Sequence, residues 1–363
     1  MLAGCGITRE NGHGNDESQM TGPFSYIAAT TGRSYVIKTD GTLWGTGINA
    51  FGDLGLGDEE NRDNWARILS DVSAISCNGI GYAWSSYSFA IKTDNTLWAT
   101  GFKAGSLFGL GDINTWVQVS TDVDKVAAGS EHVLVIKTDN TLWGIGSNSK
   151  GELGLGDNTR RDTWTQLLSG VSKVAGAIGS NNSLALKTDG TLWVAGDNFY
   201  GQLGVGDSTD RNTWIQVLSD VKEIASGAGY SFALKTDGTL WCTGRNWYGE
   251  LGLGGTTDRT IWTQTLSDVS QIVAGASTSF AIKTDGTLWA TGYNTSGQFG
   301  RGDTTSETSW TEISISDVNK IAAAGEHSLV LKTDGTLWIT GDSESGQLGF
   351  GDNIDRQTWT QVQ

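Results

Sequence analysis

One heptapeptide recurs seven times along this 363-residue chain and governs everything it can fold into. Lys-Thr-Asp-Gly/Asn-Thr-Leu-Trp begins at Lys38, Lys92, Lys137, Lys187, Lys235, Lys283 and Lys332, at intervals of 45 to 54 residues. A second tryptophan follows each copy (Trp65, Trp116, Trp164, Trp214, Trp262, Trp310 and Trp359), so that of 16 tryptophans only Trp84 and Trp247 stand outside the pattern. A fixed period of this length means one supersecondary unit repeated, each unit burying its apolar surface on its neighbours.

Each copy reads as four short strands. In the sixth, residues 272–276 and 279–284 supply the first two, Asp285-Gly286 a two-residue hairpin turn, and residues 287–292 the third. A glycine-rich loop over 293–303 leads to a fourth strand around Trp310. Seven such units without helix predict an all-β, seven-bladed β-propeller of four-stranded blades over residues 23–363. An open solenoid would have shorter rungs and need capping ends. The chain ends on Trp359-Thr360-Gln361-Val362, and this segment is expected to pair into the first blade and close the ring. Cys77 and Cys242 fall in copies two and five, on opposite sides of that ring, and should not bond to each other.

The frame from Gly196 to Asp207 (GDNFYGQLGVGD), followed by stretches such as Ile321–Leu329 (IAAAGEHSL), resembles the regulator of chromosome condensation repeat. The resemblance spans all seven copies and implies the propeller fold. It implies no single activity, because that family includes chromatin-bound nucleotide exchangers, photoreceptors, ubiquitin-ligase modules and secreted enzyme inhibitors. It also implies that histidines of the G-x-x-H-S type are hydrogen-bonded structural residues rather than catalysts.

Charge and composition exclude several classes. Lys+Arg 24 against Asp+Glu 40 gives −16, which argues against a nucleic-acid partner. No apolar run is long enough for a transmembrane helix. Three cysteines cannot build a disulfide framework, and no C-x-x-C or H-E-x-x-H spacing occurs, so neither a metal nor a cofactor is expected. Asp58, Asp157, Asp207 and Asp352 are each followed four residues later by Arg62, Arg161, Arg211 and Arg356, which reads as a loop-clamping ion pair. The dense D-x-D-x-D spacing of a calcium loop is missing. The loops' G-x-x-G-x-G pattern lacks the helix that would make it a dinucleotide fingerprint. His327-Ser328 cannot form a catalytic pair, since adjacent strand residues point to opposite faces. The chain therefore reads as a non-enzyme.

Residues 1–22 read as a separate leader: Leu2-Ala3-Gly4-Cys5 matches a bacterial lipobox with Cys5 as the lipidated residue, and a polar, flexible tether follows. Only Met1 precedes the lipobox, so this reading expects a start further upstream. It places the protein outside the cell or on its outer surface, touching membrane only through the lipid, with a cytoplasmic address as the alternative.

Positions identical in all seven copies read as architecture, and positions that vary are where a partner could be read. Five residues before each lysine stand Arg33, Tyr87, His132, Asn182, Tyr230, Thr278 and His327. The loops after strands one and three share one face with this ring. They add Phe51, an insertion bearing Tyr82 and Trp84, Phe199-Tyr200 and Trp247-Tyr248. Exposed tryptophan and tyrosine anchor interfaces and stack on sugars. The expected binding residues are thus Arg33, Phe51, Tyr82, Trp84, Tyr87, His132, Phe199, Tyr200, Tyr230, Trp247, Tyr248 and His327. The expected function is a monomeric binding scaffold for a protein, with a carbohydrate-binding lectin as the alternative. Guanine-nucleotide exchange stands third, because it would need an intracellular address.

Overall fold

The computed structural model describes residues 9–10, 20, 22–78, 86–176 and 179–363. Seven antiparallel sheets, each in simple up-and-down order, succeed one another around a central axis. Blade four shows the plan: innermost strand Val171–Gly176, then Asn182–Lys187, Leu192–Gly196 and outermost Arg211–Leu218. The innermost strands of successive blades pack on one another all the way round, and Phe24–Thr30 of blade one meets Val318–Ala323 and His327–Lys332 of blade seven. This is the predicted seven-bladed propeller.

Its closure differs from the expectation. Every blade is built from one copy: blade one spans Phe24–Thr30, Arg33–Lys38, Leu43–Gly47 and Arg62–Leu69, and is complete without the C-terminus. The last strand, Arg356–Gln361, pairs with Leu337–Gly341 of blade seven. The ring shuts instead through side-by-side contacts that repeat those of every other junction. The second tryptophan of one blade lies against a left-handed glycine of the preceding blade: Trp116 on Gly55, Trp214 on Gly154, Trp262 on Gly204, Trp310 on Gly252, Trp359 on Gly300, and at the closing junction Trp65 on Gly349. Ser34 Oγ of blade one donates to Gln347 O of blade seven at 2.7 Å, as Ser183 Oγ of blade four does to Glu152 O of blade three.

Blade two departs from the plan twice. Its loop after the third strand is a short helix, Phe102–Phe108, whose Phe108 packs at 5.9 Å on Trp164 of blade three and replaces the glycine seat. Arg9–Glu10 of the leader adds a fifth strand, antiparallel to Trp116–Ser120. Met20 is buried with Phe24 and Val362 at the junction of blades seven and one. Cys77 and Cys242 are free and buried in blades two and five.

The heptapeptide proves to be a self-contained local device. Gly41 N–H donates to Lys38 O at 3.0 Å with Gly41 at φ 81°, while Asp40 keeps negative φ. The connection is therefore a type I turn followed by a left-handed residue, rather than the expected two-residue primed turn. Asn95 and Asn140 take the same left-handed place at φ 64° and 63°. Thr42 donates its N–H and hydroxyl to Asp40 Oδ1 at 2.9 and 2.7 Å, Trp44 Nε1 donates to Thr42 Oγ1 at 3.1 Å, and Lys38 Nζ lies 4.5 Å from the Trp44 ring. Lys, Thr, Asp and Trp satisfy one another within the string, which accounts for the recurrence of these residues in every blade.

Candidate functional site

The loops after strands one and three rise on one face of the ring, and in five blades an asparagine anchors the loop after strand three. Asn198 Oδ1 accepts from Leu203 N–H at 3.0 Å and its Nδ2 donates to Asp207 O at 2.8 Å, and Asn49, Asn148, Asn246 and Asn294 repeat the arrangement. The four expected clamps are present, with Arg–Asp distances of 2.6 to 2.8 Å at Arg62, Arg161, Arg211 and Arg356. These fixed loops hold variable tips in defined positions.

On blades four to six the tips form one aromatic ridge. Phe199 meets Tyr200 edge-on at 4.9 Å, Tyr200 meets Trp247 at 5.2 Å, and Tyr248 meets Tyr293 at 4.9 Å. Phe199 is 69% exposed, Trp247 53% and Tyr248 42%, a large apolar surface for side chains that normally bury most of theirs. Arg245 lies 5.4 Å from the Trp247 ring and is itself held by Ala276 O at 2.7 Å and Ser277 Oγ at 2.8 Å, so that Trp247 stands on a rigid support. Blade seven flanks this face with carboxylates: burial, then repulsion from Asp355 and Glu326, pushes the Asp342 carboxyl up to about 6. Sequence reading found Phe199, Tyr200, Trp247 and Tyr248, but missed Tyr293 and Arg245. Both occupy the position just after the third-strand glycine, which carries Ile48, Ser147, Asp197 and Asp342 elsewhere and varies as widely as any in the repeat.

The other expected contacts are not on a surface. Arg33, Tyr87, His132, Tyr230 and His327 are buried to 2% exposure or less, each at a junction between blades. Arg33 Nη2 donates to Asn78 O at 3.0 Å and its Nη1 pairs with Asp53 at 2.6 Å. Tyr87 and Tyr230 donate hydroxyls to Gly129 O and Gly275 O of the next blade. His132 Nε2 bonds Ser183 Oγ, and His327 Nε2 bonds Ser34 Oγ, both at 2.9 Å. Variation in this ring therefore records several kinds of clasp between blades, the tyrosine and histidine forms each occurring twice, and these five side chains are buried away from a partner. Phe51 is half-buried against Phe102 at 6.2 Å, away from the ridge. Tyr82, Trp84 and Cys5 lie outside the described residues.

The two histidines carry a pH signature. Burial pushes both down to about 4, so they stay neutral in the fold, whereas an unfolded chain protonates them near pH 6.5. The unfolded state then binds more protons, and stability is expected to fall from pH 6.5 towards pH 4. Urea midpoints at pH 7.5 and pH 4.5 should differ less in a His132→Gln, His327→Gln double variant than in the parent; an unchanged difference would deny these rings that role.

The axial channel offers no chemistry. It is lined by small and apolar residues of all seven innermost strands, among them Ala28, Cys77, Ala128, Ser226 and Ala323. The Cys77 thiol is pushed up to about 12 by burial and is a poor nucleophile. Among the described residues no three His, Cys, Asp or Glu side chains gather as metal ligands, and no helix is long and apolar enough to cross a membrane.

Comparison with known proteins places the repeat. The model of the regulator of chromosome condensation repeat matches residues 123–152, 171–202, 221–250, 269–298 and 318–347, and a second model of that repeat matches 189–234. These stretches match the regulator of chromosome condensation repeat. The five stretches of the first model begin on the innermost strands and end in the loops after the third strands, so the family signature is the frame that raises the ridge. No curated protein matches the chain in sequence. Among solved structures, human WBSCR16 superposes with a TM-score of 0.72 at 20% identity over 84% of this chain and 85% of that one. Prp20p from Saccharomyces cerevisiae superposes with a TM-score of 0.72 at 19% identity over 86% and 84%. At these identities the likeness shows the shared propeller and nothing finer.

Proposed function

We propose that this propeller is a non-enzymatic scaffold that binds a protein through the ridge of Phe199, Tyr200, Trp247, Tyr248 and Tyr293. The observation that carries the reading is the cluster itself: five rings from three blades, braced by Arg245, with three of them widely exposed. Rigid aromatic anchors surrounded by polar loops are the composition of an interface centre. Prp20p, of the same fold, has binding properties toward Gsp1p and histones, which supports a protein as the class of partner. The carboxylates of blade seven and the net charge of −16 call for a basic partner surface. The lipobox-like Leu2–Cys5 supports an outer-surface or secreted address for the scaffold.

The test is a Phe199→Ser, Trp247→Ser, Tyr248→Ser variant. These side chains are exposed, so it should melt like the parent. Capture from envelope and culture fractions should yield a protein held by the parent and lost by the variant, with binding weakened by at least about a hundredfold, as for loss of two hot-spot rings. Equal retention by both would move the site to another surface. A glycan captured in place of a protein would turn the reading to a lectin.

A further inference from the structure

Six connectors carry the chain from the outermost strand of one blade to the innermost strand of the next, on the face opposite the ridge. In five of them six residues separate the outer-strand tryptophan from the valine that opens the next blade, as between Trp262 and Val269. That valine N–H then donates to the heptapeptide turn of the blade just left: Val72 to Gly41 O, Val123 to Asn95 O, Val171 to Asn140 O, Val221 to Gly190 O and Val269 to Gly238 O, all at 2.9 to 3.0 Å.

The connector from blade six to blade seven departs from this plan. Seven residues, 311–317, separate Trp310 from Val318. The outer strand Glu307–Ile313 also lacks the bulge that takes up a residue between Gln264 and Leu266 in blade five. The slack folds back at Ile315, whose N–H donates to Ile313 O at 2.8 Å, and the bond from Val318 N–H to Gly286 O is not made. The turn itself shows the parting. A methyl on Gly41, Gly190 or Gly238 would lie 3.6 to 3.8 Å from the chain entering the next blade, whereas one on Gly286 meets nothing within 4 Å. At the closing junction Pro23 of blade one covers the same place, 3.5 Å from a methyl on Gly335.

The space so opened is a cleft of about 720 Å³ between the turn of blade six and the head of blade seven, with Gly286 and Val318 both lining it. Asp285, Glu312, Ser314 and Ser316 on its walls are exposed, so it opens to solvent. Its lining includes the carboxylates of Asp285, Glu312 and Asp317 and no lysine or arginine. Glu312 is itself a departure from the repeat: five blades carry glutamine there, as Gln264 in blade five, and blade one carries Arg67. The longer connector and the added acid thus fall at one cleft.

We propose that this cleft binds an extended, lysine- or arginine-bearing peptide segment of a protein partner, whose backbone accepts from Val318 N–H and donates to Gly286 O and whose cation meets Glu312. A peptide unit carries the acceptor and the donor that the parted pair lacks, as in the addition of a strand to a sheet. The parted backbone pair carries the inference, and the carboxylates set the charge of the occupant. The site lies on the face away from the ridge and does not rest on the reading of that ridge.

The probe is N-acetyl-Lys-Val-Lys-amide, titrated into the full chain and followed by amide NMR shifts, with N-acetyl-Glu-Val-Glu-amide as comparison. Saturable shifts at Gly286, Thr287 and Val318 are expected with the lysine peptide, weakening as salt is added, and none with the glutamate peptide. Deleting Ser314 gives this connector the length of the other five. It should let Val318 reach Gly286, keep or raise the melting temperature and abolish binding. Glu312→Gln installs the residue of five other blades, so it should leave the melting temperature unchanged and weaken binding about two- to fivefold, the usual effect of one exposed ion pair. No saturable binding of the lysine peptide to the parent, equal binding of the glutamate peptide, or parental affinity in both variants overturns the proposal. The ridge variant should bind the lysine peptide as the parent does, so failure of the ridge and failure of this cleft are read separately.

Discussion

Replacing Arg33 by methionine is expected to destabilise the propeller by about 3–5 kcal/mol, the usual result of stranding one member of a buried ion pair. Arg33 is 2% exposed and Asp53 0%, at 2.6 Å. Burial pushes the Asp53 carboxyl up, and the Arg33 guanidinium pulls it back down, so removing the cation leaves a buried carboxyl with only the Ser86 hydroxyl to compensate it. Arg33 also caps Asn78 O across the junction of blades one and two. Adding Asp53→Asn to Arg33→Met should restore much of the loss, because an amide needs no counter-charge. Urea unfolding of the two variants measures both steps; equal stability of single and double variants would mean that the pair is not what holds this junction.

The second large effect concerns ring closure. Gly349→Ala is expected to cost about 3 kcal/mol, the sum of left-handed strain and overpacking. Gly349 sits at φ 70°, and a methyl there would come well inside 3 Å of the Trp65 indole of blade one. Gly286→Ala separates the two contributions. Gly286 has φ 85°, yet a methyl there meets nothing within 4 Å, so only the strain of about 1–2 kcal/mol remains. If both variants melt alike, Trp65 does not seat on Gly349 and the ring is closed by something else. The same comparison at Gly204 and Trp262 should give the same cost, because closure uses the contact that every interior junction uses.

Blade number, strand order and the sharing of one face by two loop sets were legible in the sequence, because a repeat aligned with itself fixes them. Closure was misread by taking the phase from where the chain starts. Seven heptapeptides each followed by its own tryptophan leave no spare strand, and Trp65 after Lys38 already completes blade one. The aromatic ridge was legible because Phe199, Tyr200, Trp247 and Tyr248 stand at loop tips where other blades carry small polar residues. The ring from Arg33 to His327 was not, because variability alone does not separate a surface from a junction. Arg33, His132, Tyr230 and His327 each open a second strand and pair with the third-strand glycine, as His132 does with Gly146, so the side chain turns toward the next blade. The helix Phe102–Phe108 was missed although copy two lacks both the loop asparagine and the G-Q-L-G string that stabilise the ordinary loop.

The unlike clasps also bear on how such a chain assembles. Seven near-identical sheets present a pairing problem during folding, since a tandem array can bring together units that are not neighbours. Arg33 on Asn78, Tyr87 on Gly129, His132 on Ser183, Tyr230 on Gly275 and His327 on Ser34 each reach from one blade to the blade that follows it in the ring. A blade docked out of turn would part the Arg33 guanidinium from Asn78 O or a tyrosine hydroxyl from its carbonyl. The heptapeptide makes every unit the same, while the clasps make each seam unlike the seams on either side of it, so part of the order of the ring is written there.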